Sequence, residues 1–277
     1  MDVIDDSSSA SAPQASVRFA PQAWRRLDVL QPLRSIGGFF ALSLDIFAAM
    51  FKMPFAWREF IEQTLFVARV STLTALVLAI PYVVTSTFIF NVLLVEFGAA
   101  DFSGTGAALG AVNQLGPFVT VIVVAGAGAS AMCADLGART IREELDALRV
   151  MGIDPVRALM VPRVLAATVV ALLLSSLVTL TGITGAFLFS VFFQHVTPGA
   201  FVAGMTLITG VGDVVTAMVK AALFGVTAGL IACYQGTSVT RGPAAVGNAV
   251  NETVVLSFLA LLIINVVTTA IGFEVRK

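Results

Sequence analysis

"EELDALRVMGIDP", residues 143–155, lies near the middle of the chain. It carries acids at Glu143, Glu144, Asp146 and Asp154 and a base at Arg149, yet long apolar runs flank it on both sides. Ile141, Leu145, Leu148 and Met151 or Gly152 fall on one stripe, which predicts an amphipathic helix over 138–152. Gly152 is placed to end that helix, and Pro155 stops it from continuing. A short charged helix between two apolar runs is a loop between two membrane spans, presented either to lipid headgroups or to the groove of a partner protein. Its acids argue against simple attraction to anionic lipid.

Composition supports a membrane setting. Of 277 residues, 58% are apolar and 12% are charged, where a soluble domain carries roughly 25% charged residues. The class expected is an all-α integral membrane protein. A formal net charge of −1 excludes a polyanion-binding surface, so no nucleic-acid partner is expected. Cys133 and Cys233 close apolar runs without any CxxC, and His195 is the one histidine. No metal site is expected; the cysteines read as small buried residues and His195 as a loop residue at a membrane interface.

Working outward, "MDVIDDSSSASAPQ" is acidic and serine-rich, with no apolar core and cleavage site behind it, and residues 1–30 read as a disordered tail. In "RSIGGFFALSLDIFAAMFKMPF" (34–55), Phe40, Leu44, Phe47 and Phe51 share one helical face, which predicts an interfacial amphipathic helix within 31–60. The transmembrane domain is then 61–277. Spans are expected at about 70–95, kinked at Pro81, and at about 112–134, where "AGAGASA" (125–131) allows close helix approach. The run 158–193 is longer than one crossing needs and reads as a span to about Gly182 with an outer-side extension. Further spans are expected at 204–232 and 253–272, which makes five.

Basic residues set the orientation. Seven precede or open the first span, five lie in 137–163 and Arg241 lies in the 234–252 link, while 96–111 and 194–203 hold none. The positive-inside rule places the N-terminus, the charged loop and that link in the cytoplasm. Five spans leave "FEVRK" outside, and its Arg276 and Lys277 run against the rule. Asp213 and Lys220 fall within the fourth expected span, where an ionisable residue is a functional candidate or a structural polar contact. Two helical turns separate them by about 10 Å, so each needs its own partner.

Three stretches carry a family resemblance. "EELDALRVMGIDPVRALMVPRVLA" (143–166) resembles the signature loop of the Mla/YrbE-type ABC transporter permeases, which move lipids with Mce-domain proteins. "GDVVTAMVKAALFGVTAGLIACYQG" (212–236) and "AAVGNAVNETVVLSF" (244–258) are similar to that family as well, and the likeness covers roughly 35–272. The whole looks most like the mycobacterial Mce permeases. The resemblance implies a multi-pass plasma (inner) membrane protein that transports lipid, with uptake of fatty acid, mycolic acid or sterol as the expected activity. It makes Glu143, Glu144, Leu145, Ala147, Leu148, Arg149, Met151 and Gly152 the coupling helix for a nucleotide-binding ATPase subunit. Glu144, Ala147 and Gly152 are also loosely similar to the glutamate–alanine–glycine loop of other ABC importers. Asp213 and Lys220 become candidates for the lipid path and Glu252 for a cytoplasmic helix start. Many members carry paired threonines where this chain has Asn251 and Glu252, which points to one half of a non-identical permease pair. The chain has no Gly-x-x-x-x-Gly-Lys-[Ser/Thr], so ATP and Mg are expected on the partner ATPase and no cofactor on this chain.

Two other classes compete. A proton-coupled secondary transporter would use Asp213 and Lys220 alone. A membrane assembly factor would need neither. An intramembrane enzyme is disfavoured, because His195 stands alone and neither cysteine has a nearby base.

Overall fold

The structure is a computed structural model that describes residues 31–51, 55–98, 105, 106, 110, 114, 116–208, 210–240 and 242–275. The expected tail at 1–30, most of the 99–115 link, Arg241 and the last two residues lie outside the described residues.

Every described element is a helix. In chain order they are α1 (Gln31–Met50), α2 (Trp57–Glu96), α3 (Gly116–Ile141), α4 (Glu144–Val150), α5 (Val161–Gln194), α6 (Pro198–Ile208), α7 (Val211–Thr237) and α8 (Pro243–Val275). Five of them, α2, α3, α5, α7 and α8, are long and apolar enough to cross a membrane. The expected all-α membrane architecture with five spans is the observed one.

The described residues divide into two units between Phe40 and Ala41, within α1. In the first, the rings of Phe39 and Phe40 meet edge to face at 5.7 Å. In the second, the span boundaries differ from the sequence reading. Helix α2 already begins at Trp57, so the expected division at residue 60 falls inside it. The second span runs from Gly116 to Ile141 rather than over 112–134. Residues 161–194 form one unbroken helix of 34 residues, with no separate piece after Gly182. The run 204–232 is not one helix: it is divided between α6 and α7, with Gly210 extended at φ −100° and ψ 170° ahead of α7. The last helix starts at Pro243, ten residues before the expected span.

Helix α3 is the hub. In its most apolar window 61% of residues are buried, against 22% in α2 and 17% in α8. Its small residues explain that position, because Gly128 and its neighbours let α2 come close: a Cβ on Gly128 would sit 3.5 Å from Ser71 Oγ. Six of these residues, Val124–Ala129, form a π-helical segment within α3. Val119, Val123, Ala125, Ala129 and Met132 of α3 share one core with Ala171 and Leu174 of α5 and Phe224 and Ala228 of α7. Helices α5 and α7 touch backbone to backbone at Gly225 and Gly229, spaced as in GxxxG. A Cβ on Gly225 would lie 2.4 Å from Thr168 Cα. Large apolar side chains cover the outside, among them Leu73, Val77, Ile263 and Val266, all more than 60% exposed. That surface suits lipid or a second membrane subunit, not water.

Candidate functional site

The charged end of the bundle is built from the break between α3 and α5. Helix α3 stops at Ile141 because Glu143 adopts φ 58° and ψ 20°, a left-handed conformation that an L-residue leaves the helix to enter. The expected helix over 138–152 is therefore two pieces: residues 138–141 end the second span, and α4 holds seven residues. Gly152, at φ 76°, closes α4 as expected. Its N–H donates to Arg149 O at 3.0 Å and the N–H of Ile153 donates to Leu148 O at 2.9 Å, the paired bonds of a Schellman ending. Asp154 then opens the π-helical segment Val156–Met160 that leads into α5, accepting the Val156 N–H at 3.0 Å, with Pro155 between them.

The stripe expected to face a partner points two ways. Leu145 is only 5% exposed and packs into this chain, and Leu148 is half-buried. Val150 and Met151 are 88% and 65% exposed, and Ala147 is exposed beside them. The apolar surface that α4 offers outward is thus Ala147, Val150 and Met151. Arg142 pairs with Glu144 and Arg149 with Asp146, each at 2.8 Å on the surface. A cavity of about 320 Å³ lies beside this loop, between Phe55 and Ala56 and the segment Gly152, Ile153, Asp154 and Arg157.

Behind α4 sits a charge cluster that the sequence reading did not single out. Arg163, in the first turn of α5, is fully buried. Its guanidinium donates to Asp135 Oδ2 on α3 at 2.6 Å and to Leu159 O at 3.3 Å, and lies 3.4 Å from Glu59 Oε1 on α2. Arg139 approaches the same two acids at 3.4 and 3.8 Å, and Gln63 donates to Glu59 at 3.0 Å. Three spans are tied together at one end by two shared carboxylates. The available signal was the i,i+4 spacing of Glu59 with Gln63 and of Asp135 with Arg139, each at the edge of an apolar run.

The remaining predicted residues are spread out. Glu252 does not start a helix: it is the tenth residue of α8, and its Oε2 accepts from Gln235 Nε2 of α7 at 3.2 Å. Pro243 takes the helix start instead, a position suited to its missing N–H. Asp213 lies in the first turn of α7, where its Oδ2 accepts the Gly210 N–H at 3.0 Å. An acid there complements the helix dipole and caps an exposed N–H, which accounts for its charge in an apolar run. Lys220 is buried between α7 and α8, and its Nζ donates to Thr269 Oγ1 at 2.7 Å. His195 ends α5 at φ 58°. The structure brings together the α4 residues; it leaves Asp213, Lys220 and Glu252 at separate places.

The architecture is that of a polytopic helical membrane protein that displays a short helix between its second and third spans. The permease MlaE family profile matches residues 60–271, and the chain belongs to that family. A "Probable ABC transporter permease protein" of Rickettsia bellii is 27% identical over 250 residues, 87% of this chain and 93% of that protein. A protein of the same description from Synechocystis is 31% identical over 180 residues, covering 65% and 68%. The "Intermembrane phospholipid transport system permease protein MlaE" of Haemophilus influenzae is 32% identical over 183 residues, covering 66% and 70%.

Proposed function

We propose that this chain is the permease subunit of an ATP-driven lipid transporter, with α4 as the coupling helix that seats in a groove of a separate nucleotide-binding subunit. The observation that carries the reading is the exposed apolar pair Val150 and Met151 on a seven-residue helix held between two spans. A partner groove would remove that pair from water, with Glu144, Asp146 and Arg149 at its rim. The family and the names of the relatives support it, and the Haemophilus influenzae relative's name adds phospholipid transport. ATP and Mg belong to the ATPase partner in this reading, and this chain binds no cofactor.

The cargo is fatty acid, mycolic acid or sterol, taken up across the envelope with Mce-domain proteins. Asp213 and Lys220 mark polar points near the lipid path. Asn251 and Glu252 support a second permease that is related but different. The chain sits in the inner membrane with its N-terminal tail and α4 in the cytoplasm, as the distribution of arginines suggests. Helix α1 lies in the membrane surface with Phe40, Leu44, Phe47 and Phe51 in the lipid; all four are exposed, Phe51 by 87%.

The test is a charge on the displayed pair. Val150→Asp puts an unpaired carboxylate into a desolvated groove and is expected to weaken ATPase attachment by about 2–5 kcal/mol while membrane insertion persists. Co-purification of the ATPase with the tagged permease reads this. Attachment unchanged by Val150→Asp and Met151→Asp together would sink the coupling role of α4.

A further inference from the structure

We propose that Lys220, Thr269 and Asn265 form a binding site, between α7 and α8, for the oxyanion of an acidic lipid headgroup. The proposal rests on the reading of this chain as a lipid permease, and it selects an acidic acyl lipid over a neutral sterol as the cargo class.

Lys220 is 4% exposed, and its Nζ makes one hydrogen bond, to Thr269 Oγ1 at 2.7 Å. The Thr269 hydroxyl passes its own proton to Asn265 O at 2.6 Å, so it serves the ammonium only as an acceptor. An ammonium carries three protons, and two are left. The ion pairs found among the described residues are all made by arginines, and none reaches Lys220. The nearest acid along α7, Asp213, is about 10 Å away along the axis, and its Oδ2 holds the Gly210 N–H. One turn from Thr269, the Asn265 side chain is 8% exposed and its Oδ1 has no hydrogen-bond partner.

Arg163 is also a buried cation. That buried cation is supplied with two carboxylates from this chain, whereas Lys220 is supplied with a hydroxyl. An uncompensated charge at membrane depth is strongly unfavourable, and the usual remedy is an opposite charge. A carboxylate or phosphodiester oxygen would supply that charge. It takes the two remaining ammonium protons in charge-assisted bonds, while Asn265 Oδ1 accepts from a headgroup hydroxyl. A mobile lipid suits the place better than an acid on another subunit's helix. The two helices already close on each other nearby, where a Cβ on Gly272 would lie 3.2 Å from the Thr216 side chain.

The experiment uses the full-length chain in the complex extracted from membranes in mild detergent. Equilibrium binding is measured for two acid–neutral pairs: oleate with oleyl alcohol, and dioleoylphosphatidylglycerol with dioleoylglycerol. The expected result is that at least one acid binds about tenfold or more tighter than its neutral counterpart, and which pair shows it identifies a carboxylate or a phosphodiester. Lys220→Met should abolish that preference without weakening the neutral lipid, and Lys220→Arg should keep it. Equal binding of acids and neutrals, or a preference that survives Lys220→Met, overturns the site and leaves the lipid-permease reading standing. Failure of all four probes to bind overturns the site; cholesterol binding then leaves the lipid-permease reading standing, and failure of cholesterol as well overturns it. Loss of a second permease from the Lys220→Met complex, with the acid preference intact, would assign the counterion to a protein carboxylate and overturn the site.

Discussion

Arg163 shows what a single side chain does here. It is fully buried yet charged, and it is held by Asp135 at 2.6 Å and more loosely by Glu59 at 3.4 Å. Desolvating a guanidinium is repaid only when its partners are in place. Arg163→Met strands Asp135 and Glu59 with Arg139 as their remaining cation, and is expected to destabilise the bundle by about 3–5 kcal/mol. Adding Asp135→Asn should recover part of that loss, because the stranded charge is then removed. Thermal unfolding in detergent checks both, and additive losses would show that the two side chains do not act as a pair. This cluster was hard to read from sequence for a definite reason. Arg163 lies 28 residues from Asp135 and more than a hundred from Glu59, and only the antiparallel return of the spans makes them neighbours.

At the scale of the element, apolar periodicity and glycine carry most of the information. Five spans and the position of the charged loop were legible because length and hydropathy suffice for them. Boundaries were not, since a helix continues past the membrane wherever nothing stops it, as α8 does from Pro243 to Val275. The division of 138–152 was illegible too. Glu143 takes a left-handed conformation that no residue-type rule assigns to glutamate, and the apolar stripe could not say that Leu145 faces inward while Val150 faces out. The Gly225–Gly229 contact, by contrast, follows from its spacing. Gly225→Leu must push α5 and α7 apart, because even a Cβ there meets Thr168 Cα at 2.4 Å. A loss of about 1–3 kcal/mol or more is expected. Gly126→Ala, whose added Cβ meets nothing within 4 Å, should be nearly silent. A thiol-reactive fluorophore follows both by reporting when buried Cys133 and Cys233 become accessible. Equal melting of the two variants would refute close packing at Gly225.

For the whole molecule, five spans in alternation determine which loops share a side, and the proposed side follows from the positive-inside rule. Cysteine introduced at exposed Thr197 should react with an impermeant reagent on intact cells, and at exposed Ser238 only after permeabilisation. The reverse pattern would invert the orientation and place α4 where no ATPase can reach it. The same geometry has a mechanical consequence. Helix α5 runs unbroken for 34 residues, a rod of about 51 Å, and its first turn is gripped by Arg163 just behind the α4 loop. Such a rod is a lever: a tilt of about 10° imposed at the gripped end sweeps the other end through roughly 9 Å. Toward that far end Phe187 packs edge to face on Phe201 of α6, with ring centroids 5.4 Å apart, so a displacement started at the charged loop arrives at the contact between α5 and α6.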